Sequence, residues 1–250
     1  MNFITMRRLL LSVLMVLMAG ATLSAQRAQA PQRGVWSDED GLPPLYGDVD
    51  SVVVTTFTLK DVFGEITKVK IDSKFTCTFN SEGDLSSLKL YNSDETVQGL
   101  ARFDYDSNRK VLGSAIYGSN GTLQQKVLMR YDDKGRQSEL STYNSSGELE
   151  EKTLYKYDES GKLAEISNYN GSGALLNTET PKSGASDPSV RKHDAEGKLI
   201  ERTLYGENGC CQWRIIYRYD AAGNVIEATK YETDIMIPRE CVVYTIYYRK

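Results

Sequence analysis

Apolar and polar residues alternate with a period of two along most of the chain. After Gly209, one set of alternate positions is mainly aromatic or aliphatic and the intervening set is more polar. The first set is Cys211, Trp213, Ile215, Tyr217 and Tyr219, and the second is Cys210, Gln212, Arg214, Ile216 and Arg218. Side chains that alternate in this way lie on opposite faces of a β-strand, whereas a helix repeats about every 3.6 residues. The pattern therefore predicts strands, and no segment after residue 30 has a convincing helical period.

The strands recur in a repeat of 26 residues. Its landmark is an aromatic residue, or histidine in one repeat, followed by Asp or Asn, and one spacing is 36 instead of 26. The landmarks are Phe79, Tyr105, Tyr131, Tyr157, His193 and Tyr219. A tyrosine follows each landmark after 12 residues, so the repeat has halves of 12 and 14 residues. These tyrosines are Tyr91, Tyr117, Tyr143, Tyr169, Tyr205 and Tyr231.

Tight turns are predicted between the strands. A glycine stands four residues after the aromatic residue in nine of the twelve halves, as in Asp158-Glu-Ser-Gly161. The aspartate can cap the turn with its side chain, and glycine adopts the positive φ that closes it. In the other halves this position holds Glu95, Arg109 and Ile235. We expect Asn108 to be the left-handed residue beside Arg109, and Ile235 to mark the end of the regular array.

Strands joined by such turns predict an all-β fold, an antiparallel meander of about fourteen strands built from β-hairpin repeats. We expect the sheet to be twisted or curled, because a flat layer would leave its aromatic face in water. Residues 51–250 form a single repeat domain with an insertion near residues 178–189, and residues 51–59 are its first strand. Residues 31–50 are predicted to be a linker or an irregular lead-in.

The N-terminus has the three parts of a secretory signal peptide. Arg7 and Arg8 precede the apolar residues 9–18, and small residues follow as far as Ala25 and Ala30. The apolar stretch is too short to cross a membrane, which takes about 20 residues. The sequence therefore predicts export to the periplasm, the cell surface or the medium, with residues 1–25 removed or cleavage as late as residue 30.

One recurring motif is Tyr-Asp-x-x-Gly-x-(Leu/Val), which occurs at Tyr157, at Tyr219 and, with histidine in place of tyrosine, at His193. It resembles the YD repeat of rearrangement-hotspot (RHS) proteins. The resemblance covers about residues 75–235. With the lead-in SVVVTTFTLKDVFGEITK, the chain also looks like small exported proteins of Bacteroidetes. Large RHS proteins form β-shells around toxin domains and others are surface adhesins. This chain has too few repeats for a shell, no recognisable toxin domain and no self-cleaving aspartyl motif, so the resemblance implies the fold alone.

Composition narrows the classes of function. The chain has 250 residues, with 30 basic and 34 acidic side chains and a net charge of −4. Nucleic-acid binding needs clustered positive charge, so we expect no nucleic-acid partner. With one histidine and no Cys-x-x-Cys spacing, we expect neither a metal nor a cofactor. His193 occupies a tyrosine position and is interpreted as a stacking residue.

Two repeated features are candidates for binding. Glutamates stand four residues after the turn glycine in the short halves, and each precedes an aromatic landmark by four residues; they are Glu139, Glu165, Glu201 and Glu227. The aromatic candidates are Tyr143, Tyr169, Tyr205, Tyr231 and Trp213. The glutamates either bind a glycan or act as an acid and base, or they form a solvated row balanced by basic residues on neighbouring strands. The repeated tyrosines, including those at the landmark positions, either bind ligand or stack on one another with their hydroxyl groups in water.

Export permits disulfides, and Cys211 and Cys241 are the candidate pair, with Cys210 as the alternative to Cys211. Consecutive strands would place both cysteines at one end of the sheet but two strand spacings apart, about 9.6 Å. A disulfide allows about 7 Å between Cα atoms, so the bond requires irregular backbone in residues 232–240.

The sequence favours an exported, non-catalytic binding or scaffold module of the cell envelope or surface, with a glycan or a protein as ligand. Two alternatives stay open: a glycan-active hydrolase that uses the glutamate row, and a partner or inhibitor of a polymorphic toxin. A concave tyrosine patch would favour binding, and one buried, paired carboxylate in a pocket would favour catalysis.

The signal peptide generates the first testable prediction. We expect the mature protein to begin at Gln26 or Pro31, because small residues that suit signal peptidase precede both positions. Mass spectrometry of the protein recovered from the envelope or medium measures its N-terminus. An exported protein that retains residues 1–25 would contradict the prediction.

Overall fold

The structure is a computed structural model that describes residues 42–181, 188–232 and 237–250. Within these ranges the chain forms strands and turns but no helix. The fifteen strands are β1 (Val49–Val62), β2 (Glu65–Phe79), β3 (Leu85–Tyr91), β4 (Val97–Tyr105), β5 (Val111–Gly118), β6 (Leu123–Tyr131), β7 (Gln137–Asn144), β8 (Leu149–Tyr157), β9 (Leu163–Asn170), β10 (Leu175–Glu179), β11 (Val190–His193), β12 (Leu199–Tyr205), β13 (Cys211–Tyr219), β14 (Val225–Glu232) and β15 (Ile237–Tyr248). The all-β fold of antiparallel hairpin repeats is confirmed, with fifteen strands instead of about fourteen.

The turns have the predicted geometry. Between β8 and β9, the amide of Gly161 donates to the carbonyl oxygen of Asp158 at 3.0 Å, and the amide of Asp158 donates to the carbonyl oxygen of Lys162 at 2.9 Å. The Asp158 carboxylate accepts the Lys162 amide at 2.9 Å, and Gly161 has a φ of 86°. The side-chain cap and the left-handed glycine therefore act together to close the hairpin.

Two of the turns without glycine keep the same backbone. Glu95 and Arg109 themselves adopt φ values of 65° and 64°. The expectation that Asn108 is the left-handed residue is therefore wrong; its amide instead donates to the Asp106 side chain at 2.8 Å. The surrounding hairpin imposes a conformation that L-residues other than glycine seldom adopt. Ile235 lies outside the described residues.

The strands are hydrogen-bonded in the order β10-β9-β8-β7-β6-β5-β4-β3-β2-β1-β15-β14-β13-β12-β11, and the sheet is not closed. Consecutive strands are neighbours, as in a meander, except β10 and β11. β10 and β11, which flank the predicted insertion, occupy the two edges, and the last strand pairs with the first, with Val54 opposite Tyr244. Nothing in the repeat predicts this pairing of the chain's ends.

The chain divides into two compact units. The first contains most of β4 to β10, and its core includes Phe103, Ile116 and Val127. The second contains β1, β2 and β11 to β15, and its core includes Val52 and Cys77. Residues Ser86–Lys89 of β3 belong to the first unit, and the rest of that strand belongs to the second.

The end of the predicted lead-in is part of the second unit. Leu42 and Leu45 are only 1% exposed, and β1 already begins at Val49. Their burial removes apolar surface from water in the same way as the strand residues do. The part of the predicted linker that the structure describes is therefore ordered by its packing.

The predicted signal peptide lies outside the described residues, as does most of the insertion, at residues 182–187. Within the described ranges, no helix is long and apolar enough to cross a membrane.

Gly161→Val tests the turn geometry. We expect a loss of about 1–2 kcal/mol of unfolding free energy, because a β-branched residue resists a positive φ. The nearest atom to a new Cβ would be the Arg136 guanidinium at 3.8 Å, so the loss reflects backbone conformation and not a clash. Arg109→Gly is the matched control and should be neutral or stabilising, since Arg109 already has a φ of 64°. Equal effects of both substitutions in denaturant melts would show that the turn assignment is wrong.

Candidate functional site

The four candidate glutamates lie in cross-strand ion pairs. Each has a lysine or arginine as its direct partner on the neighbouring strand. The N–O distances are 3.9 Å for Arg130–Glu139, 2.7 Å for Lys156–Glu165, 3.0 Å for Lys192–Glu201 and 3.2 Å for Arg218–Glu227. Of the two interpretations, this geometry fits the balanced row of charges.

The pKa shifts of two of these glutamates agree with that interpretation. The hydrogen bond from Lys156 lowers the pKa of Glu165, and a second bond from Ser167 acts in the same direction. At Glu201, burial opposes the shift, but the hydrogen bonds from Lys192 and Thr203 outweigh it and lower the pKa. A general acid at neutral pH needs a raised pKa, so neither carboxyl group has the properties of a catalytic acid.

The candidate aromatic residues fall in separate places. Tyr143 and Tyr169 belong to the first unit, where the Lys152 ammonium lies 5.9 Å from the centre of the Tyr169 ring. Tyr205, Trp213 and Tyr231 belong to the second unit. Of these three, Tyr205 is 47% exposed, and none lines the cavity described below.

Three landmark tyrosines contradict the expectation that their hydroxyl groups lie in water. Their phenols donate to main-chain carbonyl oxygens of an earlier strand, namely Tyr131 to Val111 at 2.7 Å, Tyr157 to Gln137 at 2.9 Å and Tyr219 to Leu199 at 2.6 Å. Burial raises the pKa of Tyr131 and of Tyr157. These landmark side chains link neighbouring hairpins and fix the orientation of their own rings.

The predicted disulfide is not formed, and all four cysteines are free thiols. Cys241 is opposite Thr229, which in turn is opposite Ile216, five residues along β13 from Cys211. At about 3.3 Å per residue, this offset alone is about 16 Å, against the limit of about 7 Å for a disulfide. The expectation that the two cysteines share one end of the sheet is wrong. Cys210, the alternative partner, is one residue further away.

A cavity of about 540 Å³ lies within the second unit. It is bounded by residues 43–46 of the lead-in and by two successive copies of the same hairpin turn, β11–β12 and β13–β14. Tyr244 of β15 closes another side. The cavity is at the opposite end of β13 from Trp213, because Tyr217 and Tyr219 near the C-terminal end of that strand line it.

Four tyrosines line the cavity: Tyr46, Tyr217, Tyr219 and Tyr244. The phenol of Tyr219 is held by the carbonyl oxygen of Leu199, and burial strongly raises the pKa of Tyr244, with a further contribution from nearby Tyr217. Tyr46 keeps 38% of its surface exposed. The lining therefore combines tyrosine rings held by packing with one more accessible ring, that of Tyr46.

Asn224 attaches the lead-in to the β13–β14 turn. Its side chain is fully buried and binds both main-chain groups of Tyr46: the Tyr46 amide donates to Oδ1 at 2.6 Å, and Nδ2 donates to the Tyr46 carbonyl oxygen at 3.0 Å. Nδ2 also donates to the Tyr248 hydroxyl at 2.7 Å, which donates to Asp220 at 3.0 Å. Burial alone would raise the pKa of Asp220, but the bonds from the Asn224 amide and from Tyr248 lower it.

The cavity lining also includes polar and charged side chains. Arg191 and His193 of β11 and Lys198 of the following turn line it, together with Glu196. The Lys198 ammonium lies 5.9 Å from the centre of the Tyr219 ring, so a charged and an aromatic lining residue are neighbours there. Among the described residues, no group of three or more His, Cys, Asp or Glu side chains is arranged to hold a metal ion.

None of the cavity residues is among the binding residues predicted from the sequence. Repetition in the sequence points to side chains that recur in every hairpin, whereas the cavity depends on residues that differ between hairpins. One signal was present: His193 replaces a landmark tyrosine, and it lines the cavity. The contribution of Tyr46 had no comparable signal, because its partner Asn224 is 178 residues away.

Comparisons with known proteins add little to the description of the fold. A family model described as an uncharacterised protein matches residues 63–178, which is less than half of the chain. No curated protein matches the sequence. The resemblance to RHS proteins therefore stays a prediction, while the β-sheet repeat architecture is confirmed.

Three solved structures are similar at low levels. A porin-like protein from Bacteroides uniformis is 11% identical, with 80% of this chain and 97% of that chain covered and a TM-score of 0.34. A porin-like protein from Bacteroides vulgatus is 11% identical over 80% and 98% of the two chains, with a TM-score of 0.20. A chain of the Photorhabdus luminescens Tc holotoxin pore is 12% identical over 71% and 13% of the two chains, with a TM-score of 0.26. Similarities of this size do not transfer a function.

Asn224→Ala tests the attachment of the lead-in. We expect a loss of about 2 kcal/mol or more of unfolding free energy, because the amide and carbonyl groups of Tyr46 lose their partners. Amide hydrogen exchange at residues 45–47 should accelerate. Lys162→Ala is the matched control at the same repeat position, where the side chain is exposed, and should change stability by no more than about 0.5 kcal/mol. If both variants melt alike and exchange alike, Asn224 does not attach the lead-in.

Proposed function

We propose that this protein is an exported, non-catalytic binding module of the cell envelope and that the cavity of the second unit holds a saccharide. The observation that carries the proposal is the combination of four tyrosines with polar and charged side chains in the lining of one cavity. The predicted signal peptide supports a location where glycans are abundant.

The size of the cavity favours a small ligand over a protein surface. Its volume of about 540 Å³ lies within the range of about 300–1,000 Å³ that is usual for small-molecule sites. A stable protein interface instead buries about 800 Å² on each partner, usually over a broad surface. One or a few sugar units fit the cavity, and a folded domain does not.

The chemistry of the walls suits a sugar ring. A pyranose has an apolar face of C–H groups and a rim of hydroxyl groups, so it needs an aromatic surface beside hydrogen-bonding side chains. Tyr217 and Tyr219 supply ring faces, and Arg191 and Glu196 supply a donor and an acceptor. Because the phenol of Tyr219 is already bonded to Leu199, its ring is held in place before a ligand arrives. Such preorganisation reduces the entropy lost on binding.

The number and location of the carboxylates favour ligand binding over glycoside hydrolysis. Most glycosidases use two carboxyl groups on opposite sides of the scissile bond. Glu196 is the one carboxylate among the described residues that line the cavity. The glutamates of the predicted row do not line it and are paired with lysines and arginines.

Tyr46→Ala tests the cavity against the aromatic surface predicted from the sequence. On an array of neutral and acidic oligosaccharides we expect the wild type to bind at least one glycan, and Tyr46→Ala to weaken that binding about tenfold through loss of a ring contact. The backbone of Tyr46 stays attached to Asn224, so the fold should persist. Circular dichroism melts of wild type and variant check this point.

Tyr205→Ala is the matched control, because Tyr205 is similarly exposed, at 47% against 38%, but does not line the cavity. It should leave the affinity unchanged. Loss of binding in Tyr205→Ala with retention in Tyr46→Ala would move the site to the repeated tyrosines. A wild-type protein that binds no glycan would overturn the proposed function.

A further inference from the structure

We propose that the end of the β1–β2 hairpin is a membrane-binding tip, in which Phe63, with Val62 and Ile66, inserts into the surface of a lipid bilayer. This contact is separate from the saccharide site and does not depend on it. It is carried by the most exposed large apolar side chain of the described residues, which occupies a turn position that its residue type disfavours.

The turn at this tip has two residues, Phe63 and Gly64, because the pairing of β1 with β2 continues as far as Val62 opposite Glu65. Both turn residues have a positive φ, 56° for Phe63 and 87° for Gly64. Hairpin turns with two positive φ values favour Asn-Gly, and a bulky side chain meets a steric penalty there. The other two residues with a positive φ that are not glycine, among those described, are both polar. Phenylalanine is therefore a poor choice for the stability of this turn.

The Phe63 side chain gains no burial in return for its backbone conformation. It is fully exposed, at 103% of its reference surface. Burial of an aromatic ring would stabilise the fold, and here that contribution is missing. A residue that combines an unfavourable backbone conformation with an exposed apolar side chain indicates a role outside the fold.

The apolar surface surrounds the tip. Val62 is 42% exposed and Ile66 is 47% exposed. Val62 is opposite Glu65, and Ile66 is opposite Asp61. Directly opposed residues share a face and successive residues alternate, so Val62 and Ile66 lie on opposite faces of the hairpin. With Phe63 at the apex, the tip has apolar groups on both faces and at its end.

This shape suits a bilayer better than a protein surface. An aromatic side chain offers about 150–250 Å² of surface, and the two aliphatic neighbours are already partly buried. A stable protein interface takes about 800 Å² on each partner, which is more than this tip presents. A lipid surface encloses an inserted group from all sides, and aromatic and aliphatic side chains bind there by burial in the headgroup and acyl boundary.

The charges beside the tip set the depth of insertion. Asp61 and Glu65 stand one or two residues behind the apex, and the Asp61 carboxylate accepts the Gly64 amide at 2.7 Å. Lys60 and Lys68 follow, about 10–13 Å from the apex at about 3.3 Å per residue, where their long side chains reach the headgroups. This arrangement favours shallow insertion of about 5–10 Å, which leaves the charged groups hydrated.

The lysines and carboxylates of the hairpin end balance. Residues 60–72 contain three lysines and three acidic residues, so they carry no net charge. Attraction to anionic lipid requires an excess of basic residues. We therefore expect apolar insertion to drive binding, without a requirement for anionic lipid.

The test measures sedimentation of the full mature protein with sucrose-loaded vesicles. One set is phosphatidylcholine, and the other is an equimolar mixture of phosphatidylcholine and phosphatidylglycerol. The protein should bind both with nearly equal partition coefficients, and binding should persist in 1 M salt, where the screening length is about 3 Å. Phe63→Trp should keep this binding. The fluorescence that it adds to the wild-type spectrum should shift to shorter wavelength with vesicles and be quenched by brominated acyl chains.

Phe63→Asn separates a role in binding from a role in the fold. It should weaken vesicle binding at least tenfold through loss of the inserted ring. Its melting temperature should stay the same or rise, because Asn-Gly suits the turn. Leu176→Asn is the matched control, since it removes an apolar side chain that is 59% exposed on β10, and it should leave the partition coefficient unchanged.

Three results would overturn the membrane-binding tip. They are a wild type that binds neither vesicle, equal binding by wild type and Phe63→Asn, and binding that requires phosphatidylglycerol and disappears in salt. The first result, combined with a stable Phe63→Asn variant, would assign the exposed ring to a protein contact instead. None of these results affects the saccharide site, which the glycan array tests separately.

Discussion

The hydrogen bond between the side chain of a turn's first residue and the amide four residues later is the interaction on which the sheet depends. Asp132 accepts the amide of Arg136 at 2.8 Å, and Asp158 accepts that of Lys162 at 2.9 Å. This bond ends one strand and starts the next at a defined residue, so it sets the register of the hairpins that contain it. The turns that begin with Gly118 and Gly206 have no such side chain and keep the backbone bonds of the same turn. Because side chains alternate between faces, a slip of one residue would exchange the buried and exposed faces of every strand that follows. Local turn chemistry thus determines the core of a protein that has no helix among its described residues.

Interactions that repeat were predictable from the sequence, and those that occur once were not. Every hairpin carries its own turn signal, so the strands and the antiparallel pairing of neighbours follow from local pattern. The pairing of β15 with β1 has no such signal, because it joins residues such as Val54 and Tyr244 that are far apart in the chain. Asn224 illustrates the same limit. It occupies the repeat position of Lys162 and becomes the attachment of the lead-in only because Tyr46, 178 residues away, lies beside it.

The glutamate row shows why recurrence is weak evidence for a binding site. In the hairpins that carry the glutamate, the opposite residue is a cation, as in Lys156–Glu165. In the β4–β5 hairpin the glutamate position holds Gly113, and the opposite residue is Asp104. The glutamate and its opposing cation are thus absent together. A side chain at Gly113 would also meet the Val127 carbonyl oxygen at 2.2 Å, so the backbone itself excludes the pair there. This internal correlation is what an ion pair that stabilises the sheet surface requires, and a ligand site does not require it.

The cavity arises where equivalent hairpins carry different residues. The β13–β14 hairpin supplies two tyrosines, and the preceding β11–β12 hairpin supplies Arg191 and His193 at the equivalent positions. β11 accepts them because it is an edge strand with a single paired neighbour. The repeat therefore provides a rigid wall through bonds such as Tyr219 to Leu199, and the edge of the sheet provides the freedom to vary. A repeat protein of this kind can acquire a binding site without changing the turns that maintain its fold.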